Sequence, residues 1–145
     1  MYEVSPAGTT FYLIRVQSKN SFMKSKTAPR KVLIVEDEGD LCLLLNILLD
    51  EKGMEVEHAQ SLAKAEEYLL QDEPSLILLD NRLPDGFGVD FIKHIKKQHP
   101  STKVIMISGV DAAAQDVALE NGADLFLKKP FTKSELLNSV MQLLN

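Results

Sequence analysis

Several features are scarce or missing in this 145-residue sequence, and each absence excludes a class of protein. Cys42 is the only cysteine, so an internal disulfide is impossible and a reducing compartment is favoured. No apolar run reaches the length of about 18 residues that a membrane span needs, so we expect no membrane partner. No basic residue precedes the short apolar run from Phe11 to Val16, unlike a secretory signal. We therefore expect a cytoplasmic protein.

Basic residues are also outnumbered by acidic ones over most of the chain. Residues 1–30 carry five Lys or Arg and one Glu, whereas residues 31–145 carry 11 basic and 20 acidic residues. Binding to the phosphates of nucleic acids requires a basic face. The acidic balance therefore argues against a nucleic-acid partner.

The first 30 residues differ from the remainder in composition as well as charge. They are polar and rich in turn-forming residues, apart from Phe11 to Val16, which could pair as a strand or dock on the body. Met23 could also be the true start of the protein. We predict a flexible N-terminal extension over residues 1–30 and a single domain over residues 31–145.

Two kinds of segment alternate in residues 31–145. Short apolar runs predict strands at 31–36, 54–59, 75–79, 103–108 and 124–128. Segments with apolar residues at helical spacing predict helices at 38–53, 61–71, 87–98, 111–122 and 132–144. Four of the strands are nearly continuous apolar runs, as in a parallel sheet that is covered on both faces. We therefore predict an α/β fold, a doubly wound (βα)5 arrangement with helices on both faces of the sheet.

Residues at several helix ends support these boundaries. Thr132 and Glu135 have the spacing of a capping box, and Asp111 is placed to cap the fourth helix. Gly53 and Gly122 are suited to end the first and fourth helices. In the first helix, apolar side chains recur at helical spacing at Leu41, Leu44, Leu45, Leu48 and Leu49.

Polar residues follow the predicted strands at one edge of the sheet. Glu36 and Asp37 end the first strand, Asp80 the third and Ser108 the fourth, and Lys129 follows the fifth. The carboxyl ends of parallel strands form the functional crevice in doubly wound folds. Three clustered acids repel one another unless a cation joins them, and such acids with water are typical Mg²⁺ ligands. Because a carboxylate can also form an aspartyl phosphate, the set is suited to accept a phosphoryl group.

These motifs resemble the receiver domain of bacterial two-component response regulators, similar to the chemotaxis regulators. The likeness covers residues 31–145 and rests on "VLIVEDE", "LILLDNRLPDGFG", "VIMISG" and "GADLFLKKPF". It implies the flavodoxin-like strand order 2-1-3-4-5. Glu36, Ser108 and Phe126 stand where the family more often has Asp, Thr and Tyr, and Phe87 stands where an acid is frequent. None of these departures removes a required group.

The resemblance implies a role for each position. Asp80 is the expected phosphoacceptor. Asp37, Asp80 and the backbone carbonyl of Arg82 are expected to bind Mg²⁺, or alternatively Mn²⁺, with Glu36 acting mainly through water. Lys129 rather than Lys128 is the expected phosphoryl-binding lysine. The remaining expected positions are the switch residues Ser108 and Phe126 and the accessory residues Gly109 and Pro130, with a cis bond between Lys129 and Pro130.

The resemblance also implies partners and an output. A sensor histidine kinase or a histidine phosphotransfer protein would donate the phosphoryl group, and a downstream effector protein could read the result. Phosphorylation would change the face formed by the fourth helix, fifth strand and fifth helix, in a monomer or a weak phosphorylation-dependent dimer. We expect a signalling domain rather than an enzyme, with slow self-dephosphorylation. We also expect no output domain after Asn145, although an excised piece of a hybrid kinase or longer regulator fits the sequence equally.

Two other functions remain open from the sequence. A metal-dependent phosphohydrolase could use Asp80 as its nucleophile, although such enzymes usually have a second acid two residues later, where this chain has Arg82. A binding module could also keep the fold without being phosphorylated.

Overall fold

A computed structural model describes residues 29–109 and 112–144 of the chain, without the side chain of residue 112. The strands are β1 (Lys31–Val35), β2 (Glu55–Ala59), β3 (Leu76–Asp80), β4 (Arg82–Leu83), β5 (Gly86–Phe87), β6 (Lys103–Ser108) and β7 (Leu125–Lys128). The helices are α1 (Gly39–Asp50), α2 (Leu62–Gln71), α3 (Gly88–Gln98), α4 (Ala112–Glu120) and α5 (Lys133–Leu144). The predicted N-terminal extension lies outside the described residues except for its last two.

The central sheet confirms the predicted α/β fold. Its five strands are parallel and lie in the order β2-β1-β3-β6-β7, which is the flavodoxin-like order with β6 and β7 as fourth and fifth strands. The short antiparallel ribbon of β4 and β5 was not predicted. It forms within the segment that connects β3 to α3, so it adds no strand to the central sheet.

The core lies in two layers, one on each face of the sheet. Neighbouring side chains of a strand point to opposite faces, so Val32 and Ile34 join one cluster, whereas Leu33 and Val35 join the other. The first cluster includes residues of α1 and α5, and the second includes residues of α2, α3 and α4. All five residues of β3 are buried, which explains why its sequence is a continuous apolar run that ends on an acid.

The predicted capping box and the glycine after α4 agree with the structure, whereas α1 ends at Asp50, three residues before the predicted Gly53. The Thr132 hydroxyl accepts a hydrogen bond from the Glu135 N–H, and the Glu135 carboxylate accepts one from the Thr132 N–H, which confirms the capping box. Gly122 has a φ of 114°, a backbone conformation that favours glycine after a helix. The predicted cap Asp111 lies outside the described residues.

The apolar stripe predicted for α1 is only partly correct. The buried residues are Cys42, Leu45, Leu48 and Leu49, whereas Leu44 is 48% exposed. The helix has leucines on several faces, so spacing alone could not show which face packs on the sheet. Its outer face consequently presents the apolar side chains of Leu43, Leu44 and Ile47.

Candidate functional site

The carboxyl edge of the central sheet brings the predicted acids together. Glu36 and Asp37 directly follow β1, and Asp80 is the last residue of the adjacent strand β3. Carboxylate oxygens of the three residues lie within 4.8 Å of one another. Glu36 and Asp80 are only 3% and 7% exposed, whereas Asp37 is open to solvent. Hard oxygen ligands with one solvent-facing side fit a divalent cation such as Mg²⁺, which retains several waters when bound.

Lys129 reaches into this acidic cluster from the loop after β7. Its Nζ lies 3.0 Å from Oδ1 of Asp80 and 3.5 Å from Oε1 of Glu36. The neighbouring Lys128 is the exposed last residue of β7. The peptide bond between Lys129 and Pro130 is cis, as expected. Of the two adjacent lysines, the structure therefore brings the predicted one to the acids.

The pKa values of Glu36 and Lys129 are shifted by burial and by the neighbouring charges. Burial raises the pKa of the Glu36 carboxyl, and the nearby Asp80 charge adds to this, although the Glu38 N–H and Lys129 partly oppose it. Burial alone would lower the pKa of Lys129, but its hydrogen bonds and charge interactions with Asp80 and Glu36 raise it overall. The ammonium thus stays charged, and among the described residues it pairs with two of the three acids, Asp80 and Glu36. An additional cation would relieve the remaining repulsion.

Three hydrogen bonds hold Glu36 in place. The Glu36 N–H donates to the Ala59 carbonyl at the end of β2, and the Glu38 N–H donates to Oε2 of Glu36 at 3.0 Å. The Cys42 thiol donates to the Glu36 carbonyl oxygen. These bonds orient the Glu36 carboxylate toward Asp80 and Lys129, an arrangement that the sequence motif alone did not reveal.

The expected switch residues lie on the other side of Asp80. Ser108 is buried at the end of β6, and its backbone carbonyl accepts a hydrogen bond from the Lys129 N–H at 2.9 Å. Phe126 is half-buried in β7 and packs against the core cluster under α2, α3 and α4. At Gly109 a Cβ would meet only the Cβ of Lys129, at 3.9 Å, so the approach to this strand end is open among the described atoms.

Two residues of the loop after Asp80 were missed by the sequence reasoning. Oδ1 of Asn81 accepts a hydrogen bond from the Val89 N–H, and the Asn81 carbonyl accepts one from the Gly88 N–H at 2.7 Å. Asp85 accepts hydrogen bonds from the first two N–H groups of α2. Asn and Asp are common helix-capping residues. Asp85, however, caps α2, which lies far earlier in the chain, and Asn81 lies several residues before α3. Local spacing in the sequence therefore did not reveal either capping role.

A cavity of about 380 Å³ borders Lys129 on the side of α1. Its lining is mostly apolar and comprises Leu41, Leu44, Lys129, Pro130 and Phe131. It adjoins the exposed leucines of the outer face of α1. The site is therefore flanked by an apolar surface.

Within the described ranges, no helix combines the length and apolar character that a bilayer crossing requires.

Comparisons with known proteins agree with this geometry. The family model described as the response regulator receiver domain matches residues 32–141. The chain is 41% identical over 104 residues to the response regulator protein PilR of Pseudomonas aeruginosa, covering 70% of this chain and 23% of that protein. It is 35% identical over 111 residues to the phosphate regulon transcriptional regulatory protein PhoB of Escherichia coli, covering 74% of this chain and 48% of that protein. The chain thus spans 23% to 48% of the length of these curated relatives.

Two solved receiver domains are similar to this chain over nearly their full length. A CheY-like response regulator receiver domain from Methanospirillum hungatei has a TM-score of 0.76 and 27% identity, covering 79% of this chain and 93% of that one. The receiver domain of NtrC4, solved as a beryllofluoride-activated dimer, has a TM-score of 0.75 and 34% identity, covering 78% of this chain and 94% of that one. The likeness therefore extends to the sheet edge that carries the acids. This chain belongs to the receiver domain family of two-component response regulators.

Proposed function

We propose that Asp80 accepts a phosphoryl group from the phosphohistidine of a sensor histidine kinase or a histidine phosphotransfer protein, in a reaction that requires Mg²⁺. The observation that carries this proposal is the position of the Lys129 ammonium, 3.0 Å from Asp80 and 3.5 Å from Glu36, at the edge of a cluster of three acids. A salt bridge alone needs one acid, whereas a phosphoryl site needs a nucleophile, metal ligands and a separate cation. The assigned roles are chemical roles of these side chains and do not follow from the fold alone.

The metal ligands in this proposal are Asp37, Asp80 and the backbone carbonyl of Arg82, with Glu36 acting through water. Mn²⁺ is a second ion with suitable oxygen chemistry. When bound, the divalent ion supplies positive charge that neutralises the oxygens of the phosphoryl group. Asp37 faces solvent and Asp80 is nearly buried, so the site is open on one side only.

Transfer forms one bond and breaks one bond. A carboxylate oxygen of Asp80 attacks phosphorus, the bond between phosphorus and the donor imidazole nitrogen breaks, and the imidazole leaves with the electron pair. Lys129 then exchanges its contact with the carboxylate for one with a phosphoryl oxygen, and the Ser108 hydroxyl donates to another. The product is an aspartyl phosphate with a greater negative charge than the carboxylate.

The proposed output is a change in the face formed by α4, β7 and α5. Movement of Ser108 toward the phosphoryl group would vacate space into which the half-buried Phe126 can turn. Because Phe126 has no hydroxyl, this response relies on packing rather than on a hydrogen bond. Val117 and Leu119 already expose apolar area on α4. We propose that this face binds an effector, or a second copy weakly, in response to phosphorylation.

A protein donor fits the surroundings of the site better than a small substrate. Leu43, Leu44 and Ile47 expose apolar surface on α1, beside the cavity next to Lys129. Exposed apolar patches near a functional group are typical of protein-binding surfaces. The phosphohydrolase alternative lacks such support, because the residue two positions after Asp80 is the exposed Arg82, which cannot serve as a general acid or base.

The test is incubation with a small-molecule phosphodonor, with and without Mg²⁺, followed by mass spectrometry of the intact protein. We expect the mass of one phosphoryl group to be added only with Mg²⁺. Asp80→Asn should abolish the adduct, whereas Asp90→Asn, which removes an exposed acid from the first turn of α3, should not. Slow loss of the adduct without turnover of unrelated phosphomonoesters would distinguish a signalling domain from a phosphohydrolase. An adduct that persists in Asp80→Asn would overturn the assignment.

A further inference from the structure

The carboxylate of Asp85 joins two segments that are distant in sequence. Asp85 lies in the turn between β4 and β5, in the loop that follows the proposed phosphoacceptor. Its Oδ1 and Oδ2 accept hydrogen bonds, each 2.9 Å long, from the backbone N–H groups of Leu62 and Ala63 at the start of α2. The first N–H groups of a helix have no partner within the helix. Asp85 therefore supplies both acceptors from another part of the chain.

Apolar packing joins the same two segments. A Cβ at Gly86 would lie 3.1 Å from Cδ1 of Leu62, so the ribbon backbone lies directly on that side chain. Leu83 of the ribbon and Leu62 also pack against the same core cluster. The hydrogen bonds of Asp85 are thus part of a fitted contact between the ribbon and α2. A chance encounter of an exposed acid with a helix end would not include this packing.

The base of the ribbon is held separately, by α3. The side-chain oxygen of Asn81 accepts a hydrogen bond from the Val89 N–H at 3.0 Å. The backbone carbonyl of Asn81 accepts a second one from the Gly88 N–H. The ribbon is therefore fastened to α3 beside Asp80 and to α2 at its far end. Arg82, whose carbonyl is the proposed backbone ligand, lies between these two attachments. Its position depends on both of them.

We infer that Asp85 is a positioning residue of the metal site, which holds the ribbon against α2 so that the Arg82 carbonyl faces the acidic cluster. This inference rests on the proposed function, because it concerns the ligand set of the Mg²⁺ site. Residues that orient ligands without touching the metal commonly change metal affinity 10- to 100-fold when mutated. Because Asp85 is exposed and acts from three residues away, we expect a smaller change, about fivefold.

Coupling between the ribbon and α2 must act in both directions. If Asp85 at α2 favours the ligand position of Arg82, then metal binding must equally favour the contact of Asp85 with α2. Mg²⁺ should therefore slow hydrogen exchange at the Leu62 and Ala63 amides. A purely local capping role for Asp85 would stabilise α2 but would not make these amides respond to the metal.

The experiment measures the Mg²⁺ dissociation constant of the full chain and its Asp85→Ala, Asp85→Asn and Asp90→Asn variants, together with their urea unfolding midpoints. Asp90→Asn matches the charge change but lies on α3. We expect Asp85→Ala to weaken Mg²⁺ binding about fivefold, Asp85→Asn to weaken it less, and Asp90→Asn to change it less than about twofold. Amide exchange with and without Mg²⁺ is followed at Leu62 and Ala63, with the capped Glu135 amide of α5 as a distant reference.

The outcomes separate this inference from the function on which it rests. If the wild type binds Mg²⁺ but Asp85→Ala binds it as tightly as Asp90→Asn, the positioning role is wrong while the metal site stands. The positioning role is also wrong if the hydrogen-exchange rates of the Leu62 and Ala63 amides in the wild type are the same with and without Mg²⁺. If the wild type does not bind Mg²⁺ at all, the proposed metal site and the positioning role are both wrong.

Discussion

Gly88 is the position where a single added methyl group should most disturb the site. A Cβ there would lie 2.2 Å from the backbone oxygen of Asp80 and 3.0 Å from Cγ of Leu79. The first neighbour is backbone in a fully buried strand, so it cannot move aside as a flexible side chain could. Adding one methyl to a packed core usually costs 1–3 kcal/mol, and we expect Gly88→Ala to reach about 3 kcal/mol because α3 must move away from β3.

Urea unfolding gives the measurement, with Gly39→Ala as the matched control. With a slope of about 1.5 kcal/mol/M, a loss of about 3 kcal/mol lowers the midpoint by about 2 M. Gly39 is the exposed first residue of α1, and a Cβ there meets no described atom within 4 Å. Gly39→Ala should therefore be neutral or stabilise by up to about 1 kcal/mol. A Gly88→Ala midpoint equal to that of the wild type would refute the packing argument.

Three further predictions concern the charged groups. Lys129→Ala should still accept a phosphoryl group on Asp80 but gain no partner affinity from it, and wild-type affinity in the phosphorylated variant would contradict the role of Lys129. Asp37→Ala should weaken Mg²⁺ binding more than about tenfold, since even indirect ligand partners have effects of that size, and an unchanged metal titration would count against the site. Lys96→Met should destabilise by about 2 kcal/mol, because its ammonium donates to both the Asp124 carboxylate and the Thr102 carbonyl at 2.8 Å. Equal urea midpoints for Lys96→Met and Lys64→Met, which loses only an exposed pair, would contradict this.

The central sheet could be predicted from the sequence because its strands are buried on both faces. Strands β1, β3 and β6 need apolar side chains at successive positions, so each appears as a short continuous run. The turn and capping residues between them then mark where the helices begin and end. The position of Asp80 followed from the same rule, since an acid directly after such a run must lie at the edge of the sheet. Its neighbours across that edge followed from the strand order that the resemblance implied.

The ribbon and the exposed face of α1 could not be predicted in the same way. The two-residue strands β4 and β5 are too short to show an alternating pattern, and the turn between them contacts α2 through Asp85 and Gly86. That contact joins residues 22 and 23 positions apart, which local spacing does not reveal. In α1 the difficulty was the reverse, because leucines at many positions offered several possible packing faces. Tertiary contacts decided between them.

Among the described residues, the site combines three acids with one ammonium, and charge balance favours a further cation there. The carboxylates of Glu36, Asp37 and Asp80 against Lys129 leave a local charge of −2 when all are ionised. A divalent cation, bound as we propose, would bring this charge to zero. Phosphorylation of Asp80, as we propose it, would replace its charge of −1 with about −1.5 to −2, so the balance would shift by at most about one unit. The Ser108 hydroxyl could then donate a hydrogen bond to one of the added oxygens. A second lysine in place of the metal would still leave a charge of −1, whereas a divalent cation balances the three acids and Lys129 completely, as the proposed Mg²⁺ requirement expects.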